Sequence, residues 1–510
     1  MPKMIKELLI ILIMSGTALA LPLQAGERQV EDAEALGEVH FQPACREDSA
    51  ETFDQGLALK HHMMYQQARS TFRDLAEDDP DCAMAHWGEA ATWFQPLWPE
   101  RPDEAALSAG REAIDRAREA GPGSEREAAL IEAVAAFFSP EEKSYGERIR
   151  AWAEGMEAAY AEHSQDLDVA ALYSLSRLAL AMGEESEERH RLHDEAEAIL
   201  ADIWAEEKHH PGAIHYAIHA TDVDGRAENA LEMMEAYSDI APSVPHALHM
   251  PSHIYVRLGE WDEVIEWNRR SADAAREHSV NGGISFHYIH ALDYLVYGYM
   301  QQGEVDKAQA VKEEAREVER HQPGFVSAFH AAAIPARIAV EQRDWEAAKA
   351  ITPREPDYLP WDDSYWSEGL SWYARGLGGV HSGELEVAAE AESQLATLRD
   401  EAEAAGEERF ATYIEVDRKI LAAWLEHEQG QAETAVDLME AAAELEATVE
   451  KDPVTPGALY PPNEALGDLL LAMDRPRQAL NAYQASEDIW PGRRNTRAGM
   501  EEAQEAFARR

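Results

Sequence analysis

The chain has 510 residues, with 45 Lys and Arg set against 98 Asp and Glu, for a formal net charge of −53. That balance excludes the basic patches that nucleic acid and anionic membranes need, so neither a nucleic-acid partner nor membrane insertion is expected. The acids are spread along the whole length, as in 184–188 and 400–408, which is the pattern of a solvated surface adapted to high salt.

At the start, Lys3 and Lys6 precede a short apolar run over 8–14, and Ala18-Leu19-Ala20 follows. This is the layout of a signal peptide at 1–20, with a second cleavage point after Ala25. The mature chain is expected to be exported, either periplasmic or secreted. No later stretch approaches the ~20 uninterrupted apolar residues of a membrane span, and no cysteine stands just after the run to carry a lipid. The two cysteines, Cys45 and Cys82, fall where oxidation is permitted. A disulfide between them closes a loop of about 37 residues and contributes roughly 3–4 kcal/mol in the chain-entropy model; two buried free thiols are the alternative.

From residue 50 onward Ala, Glu and Leu recur with helical periodicity and strand-like alternation is scarce. Gly56, Ala68, Phe72 and Pro80 open a unit whose spacing returns near the C-terminus in Leu466, Gly467, Ala479, Tyr483 and Pro491. Less regular units lie between, with turns marked by Gly259, Gly303 and Gly430 and an extra loop around Asn281-Gly282-Gly283. The units near 160–205 and 362–405 are helical on periodicity alone. Tyr460-Pro461-Pro462 sets the start of the last first helix. Trp87, Trp93 and Trp98 are expected to serve helix packing.

Within this array His215 and His219, and again His249 and His253, stand four residues apart, and the two pairs are offset by 34 residues. An i, i+4 pair stacks two side chains on one helix face, so both pairs occupy the same place in successive units. His61-His62 and His209-His210 are weaker signals, since adjacent helical residues diverge by about 100°; His210 precedes a Pro-Gly turn.

These spacings resemble those of the tetratricopeptide-repeat family, whose period is about 34 residues, and the resemblance covers nearly all of the mature sequence. It implies an all-α fold, a right-handed superhelical solenoid of helix hairpins, as one continuous array over 40–510 with 205–300 carrying the histidines. It also implies a concave surface that holds a small molecule or peptide. More narrowly, the segments from His210-Pro211-Gly212 to Ala220, from Pro245 to His253 and from His290 to Leu295 are similar to a group of exported bacterial repeat proteins to which no activity is attached. With the turn glycine as the fifteenth residue of a unit, His246, His249 and His253 take positions two, five and nine, which in this family face the concave side. The same count gives His215 and His219 in the unit before, and His290, Asp293 and Tyr297 in the unit after. Asp222 lies on the face of His219.

Neutral imidazole is a common ligand of zinc, copper, iron and nickel, and carboxylates complete or orient such sites. The ligand set expected is His215, His219, His246, His249, His253, His290 and Asp293, supported by Asp222 and Tyr297. It is large enough for two ions, or for one ion and a spare proton carrier. Copper ranks first, then zinc, then iron. Phosphate-cradling, dinucleotide, HExxH and nucleophile-elbow motifs are absent from the sequence. Three classes remain: a metal-dependent enzyme (oxidoreductase or hydrolase), a metal carrier, and a peptide-binding scaffold without metal. For the acidic surface, the thermal midpoint should rise as salt is raised from low to molar concentration, because screening relieves self-repulsion. A flat melting curve across that range would mean that the acids are already paired.

Overall fold

A computed structural model of the chain describes residues 36–509, apart from 99, 185, 224 and 281. The signal-like segment 1–25 lies outside the described residues, as does Asn281. Helices follow one another from Ala50–His61 to Arg494–Ala508, and the short strands Ser279–Val280 and Gly283–Ile284 pair as a hairpin at the expected extra loop. The protein is an all-α solenoid of TPR-like helix hairpins. Among the described residues, no helix is long and apolar enough to cross a membrane.

The hairpins form where small residues let an aromatic in. Phe72, on Tyr65–Asp78, lies against Gly56 and Gly88 of the flanking helices so closely that a Cβ at those glycines would sit 2.8 and 2.5 Å from its ring. Tyr483 is clasped in the same way by Gly467 and Gly499. Gly259, Gly303 and Gly430 end their helices in the left-handed conformation, with φ of 71°, 75° and 79°, which glycine adopts without a steric penalty. Units in the irregular stretches are helical too, as in Leu167–Ala181, Ser186–Glu206, Tyr365–His381 and Leu385–Ala404. Pro462 occupies the first turn of Pro462–Ala472.

Alternate helices also touch, so the first helices of successive pairs make an inner layer. Pro211–Thr221 packs on Leu167–Ala181, and Phe286–Gln302 on Phe325–Glu341. The inner layer is covered. The Arg493 guanidinium, buried near the C-terminal hairpin, reaches Glu341 at 2.8 Å and Glu464 at 2.9 Å, and Trp261 Nε1 donates to the Gly492 carbonyl at 3.1 Å. A strap over 449–459 lies across the same layer: its Pro453 carbonyl accepts from Tyr294 and its Gly457 carbonyl from Arg337, both at 3.1 Å. Cys45 and Cys82 form a disulfide that ties the segment before Ala50–His61 to the start of Ala83–Ala91.

Gly499→Ala should lower the thermal midpoint, since its Cβ would sit 2.3 Å from the Tyr483 ring and such overpacking costs about 1–3 kcal/mol. Gly146→Ala, in a helix position with nothing within 4 Å, should instead raise it slightly.

Candidate metal centre

The helices that carry the histidines start where the sequence dictates. His210 caps Pro211–Thr221 by accepting from the Ala213 amide at 3.2 Å, and Pro211 takes the first helical position. Pro245 and Pro251 likewise begin Pro245–His249 and Pro251–Leu258, and the Ser285 side chain caps Phe286–Gln302. The structure brings six of the seven expected ligands together in two triads, His215/His219/His246 and His249/His253/His290, with the candidate ligand atoms of each within 4.8 Å of one another.

The second triad has a determined chemistry. His249 Nε2 lies 2.9 Å from both His253 Nε2 and His290 Nε2. Each ring is tied down through its other nitrogen. His249 Nδ1 donates to Asn268 Oδ1 at 2.7 Å, and the amide cannot turn over because its Nδ2 donates to the Val264 carbonyl. His253 Nδ1 donates to Asp222 Oδ2 at 2.8 Å. His290 Nδ1 donates to His330 Nε2 at 2.7 Å, and His330 Nδ1 passes the polarity on to Asp293 at 3.1 Å. With every Nδ1 a donor, three bare Nε2 lone pairs point at one another. A proton on one of the three Nε2 atoms is the other way to hold them, and burial opposes it at each ring. Burial, then the neighbouring imidazoles, pushes the His249 and His290 pKa values well below normal.

Both carboxylates behind the rings remain ionised. Burial raises the Asp293 pKa, but Arg337, bonded at 2.9 Å, and His330 outweigh it and hold it at about 2. Asp222 is drawn well below its usual range despite burial by Lys451 and Arg257, at 3.0 and 2.9 Å, and by His253.

Four expectations need correction. The histidines do not line an open concave surface: His215, His246, His249, His253 and His290 are 0–2% exposed, covered by Met63, Leu97, Trp98, Pro453 and Val454. Asp293 is not a ligand, because Arg337 and His330 engage its oxygens; it orients His290 through His330. Tyr297 does not support the triads, since its hydroxyl accepts from Arg493 at 3.1 Å. His61, a weaker signal in the sequence, stands beside the first triad: its carbonyl accepts from His215 Nδ1 at 2.6 Å while its ring donates to Asp168. Asp222 stands behind His253 as an orienting carboxylate.

Trp98, expected only to pack helices, lies against His246 and His290 with ring centroids 5.2 and 5.8 Å away, and His287, for which the sequence offered no signal, lies 5.1 Å from His246. In the first triad His215 Nε2, His219 Nε2 and both nitrogens of His246 are buried with no hydrogen-bond partner. A buried polar atom left unpaired costs about 1–3 kcal/mol. A void of about 10 Å³ is bordered by His219, His246, His253 and His290. Beside it a cavity of about 330 Å³ reaches His219 and Asp222, lined further by Arg189, His193, Arg409 and Lys451.

No family model matches the chain, and no curated protein matches it. Similar solved structures include yeast Tom70, at 10% identity and a TM-score of 0.33 over 91% of this chain and 90% of that one. The human IFIT1 dimer with m7Gppp-AAAA is 12% identical, with a TM-score of 0.38 over 94% and 98%. The APC/C hetero-tetramer Cut9-Hcn1 is 10% identical, with a TM-score of 0.35 over 89% and 90%. At such scores they assign no ligand or activity here, and the chain's own hairpins define its TPR-like class.

The buried imidazoles make the metal-free protein acid-sensitive. Burial pushes His61 and His62 down to about 4 and His219 and His287 to about 3, from 6.5 when unfolded. Their stabilisation is therefore complete above pH 6.5 and is lost as pH falls toward 4, at about 1.4 kcal/mol per pH unit for each ring. Asp54 and Glu100, raised by burial to about 6 and about 7, act in the opposite sense, as do Asp417 and Glu341, also raised by burial, but the rings lowered by burial, which also include His215, His246, His249, His253, His290, His330 and His381, outnumber these carboxyls. Denaturant midpoints of chelator-treated protein should fall steeply from pH 6.5 to 4; midpoints that stay level would contradict the buried, neutral rings.

Proposed function

We propose that this exported solenoid binds a transition metal through His249, His253 and His290 and works as a metal-dependent enzyme, an oxidoreductase or a hydrolase. The observation that carries the reading is the set of three Nε2 lone pairs, that of His249 lying 2.9 Å from each of the other two, each fixed by a donor bond on the far side of its ring. Tetrahedral bonds of ~2.0–2.1 Å separate ligand nitrogens by ~3.3 Å, so a shift of a few tenths of an ångström would seat an ion. Copper is the first candidate, then zinc, then iron. The ligand atoms are imidazole nitrogens, the nearby carboxylates are engaged elsewhere, and the polarisable Met63 side chain borders the same void. A bound ion of this kind supplies Lewis acidity or electron exchange.

The protein's own groups hold the rings in one tautomer and exclude bulk water from them, while the cavity of about 330 Å³ gives a small molecule a way to the His219 and Asp222 side. That cavity supports an enzyme over a metal carrier. A protein- or peptide-binding scaffold without metal is the second reading, favoured by the TPR-like architecture. Export agrees with the Cys45–Cys82 bridge and with the similarity of the His210–Ala220 and Pro245–His253 segments to exported bacterial repeat proteins.

Elemental analysis of untagged protein should find a transition metal at stoichiometric level. His249→Ala and His290→Ala should each lose the ion held by this triad. Asp222→Asn and His330→Gln should weaken binding by roughly 10–100-fold, as changes behind ligating histidines do. Metal-free wild-type protein that also takes up no added copper, zinc or iron would leave the scaffold reading in its place.

A further inference from the structure

We infer that His215, His219 and His246 hold a second transition-metal ion beside the first, so that the interior carries a pair of ions, and that the ion at His219 is the one exposed to the cavity. The pairing rests on the reading of the His249/His253/His290 triad, but the second site has its own observations. His215 is fully buried, and its Nδ1 donates to the His61 carbonyl at 2.6 Å, which leaves Nε2 as a bare acceptor with nothing to accept from. His246 is 2% exposed, and neither of its nitrogens meets a partner. The His219 Nε2 is also unpartnered, although its residue is partly open on the cavity side.

Buried polar nitrogens are paired as a rule, and here four unpaired ones belong to three rings whose candidate ligand atoms lie within 4.8 Å of one another. The ring of His215 stands 5.1 Å from that of His219 and 4.9 Å from that of His246. Among the described residues, no carboxylate is grouped with this triad. Three neutral imidazole nitrogens suit copper, zinc or iron and not a hard cation such as calcium or magnesium, which requires oxygen. The triads adjoin at two edges, His219 with His253 and His246 with His249, each with ring centroids 6.0 Å apart. The small void lies between them, bordered by two rings of each.

The test loads full-length, untagged protein with copper(II) alone, removes the excess, and reads copper per chain by elemental analysis alongside the paramagnetic resonance signal. Wild-type protein should retain two ions, with a signal reduced or broadened by their mutual coupling. His246→Phe breaks no hydrogen bond, and His215→Asn keeps an amide donor for the His61 carbonyl while deleting the ligand nitrogen. Each should fall to one ion per chain with a full, uncoupled signal and a circular dichroism spectrum unchanged from wild type. One ion in wild type, kept by both variants and lost in His290→Ala, overturns the second site and leaves the first standing. One ion lost in both variants and kept in His290→Ala overturns the pair and the reading of the first triad together. No copper in wild type overturns both sites.

Discussion

Three imidazoles cannot present three lone pairs to one another in a dry interior unless something holds each ring by its back. That constraint organises the centre of this molecule. Asn268, Asp222 and the His330–Asp293 relay supply the hold, and each brings its own demands. Two buried carboxylates must be paired, because an isolated buried charge is prohibitively costly. Arg257 and Lys451 answer for Asp222, and Arg337 for Asp293. Lys451 belongs to the strap, and Arg337 also donates to the strap carbonyl at Gly457. The groups that orient the histidines are thus the same groups that fasten the cover over them.

A helical-repeat array ordinarily leaves its inner layer open to solvent, and here the layer is closed by segments from far along the chain. The strap at 449–459 crosses it, the 97–98 corner presses on it, and the C-terminal hairpin is clamped to the middle repeats through Arg493 with Glu341 and Glu464. Closure turns a row of surface histidines into a water-poor site. It also accounts for their low pKa values, because desolvation is the leading cause for every ring of both triads.

The hairpins were legible because their causes are local: a glycine and an aromatic at fixed spacing, and a glycine that can take a positive φ. The histidine pairs were legible for the same reason, since the repeat offset places equivalent residues on equivalent faces. Periodicity gives a face, however, and not what covers it, so burial was misread, Lys451 was missed, Trp98 was assigned to helix packing alone and His61 was given little weight. Those three come from elements more than a hundred residues away from at least part of the site, and no spacing rule connects them. His330 had a signal that was lost. Counting from Arg343 as the fifteenth residue puts His330 at position two and Arg337 at position nine, in line with His246 and His290. Arg343 takes the left-handed conformation itself, with φ of 55°, so the glycine that marks the register elsewhere is absent from that turn. Without His330, Asp293 had no visible partner and was taken for a ligand.

The charge distribution bears on which ion the centre would take. The chain carries −53 overall, yet around the His249/His253/His290 triad two buried carboxylates face three buried cations, Arg257, Arg337 and Lys451. The immediate surroundings therefore offer an incoming cation no negative potential of their own. Calcium and magnesium sites work by concentrating anionic oxygen, and nothing of that kind is available at these rings. Affinity there has to come from the nitrogen lone pairs, which is the term that rises along the late first-row metals to its maximum at copper. The acidic exterior acts on a different scale: it raises the concentration of every cation near the surface, whereas the interior, stripped of anionic attraction, selects among them by the strength of the bond to imidazole.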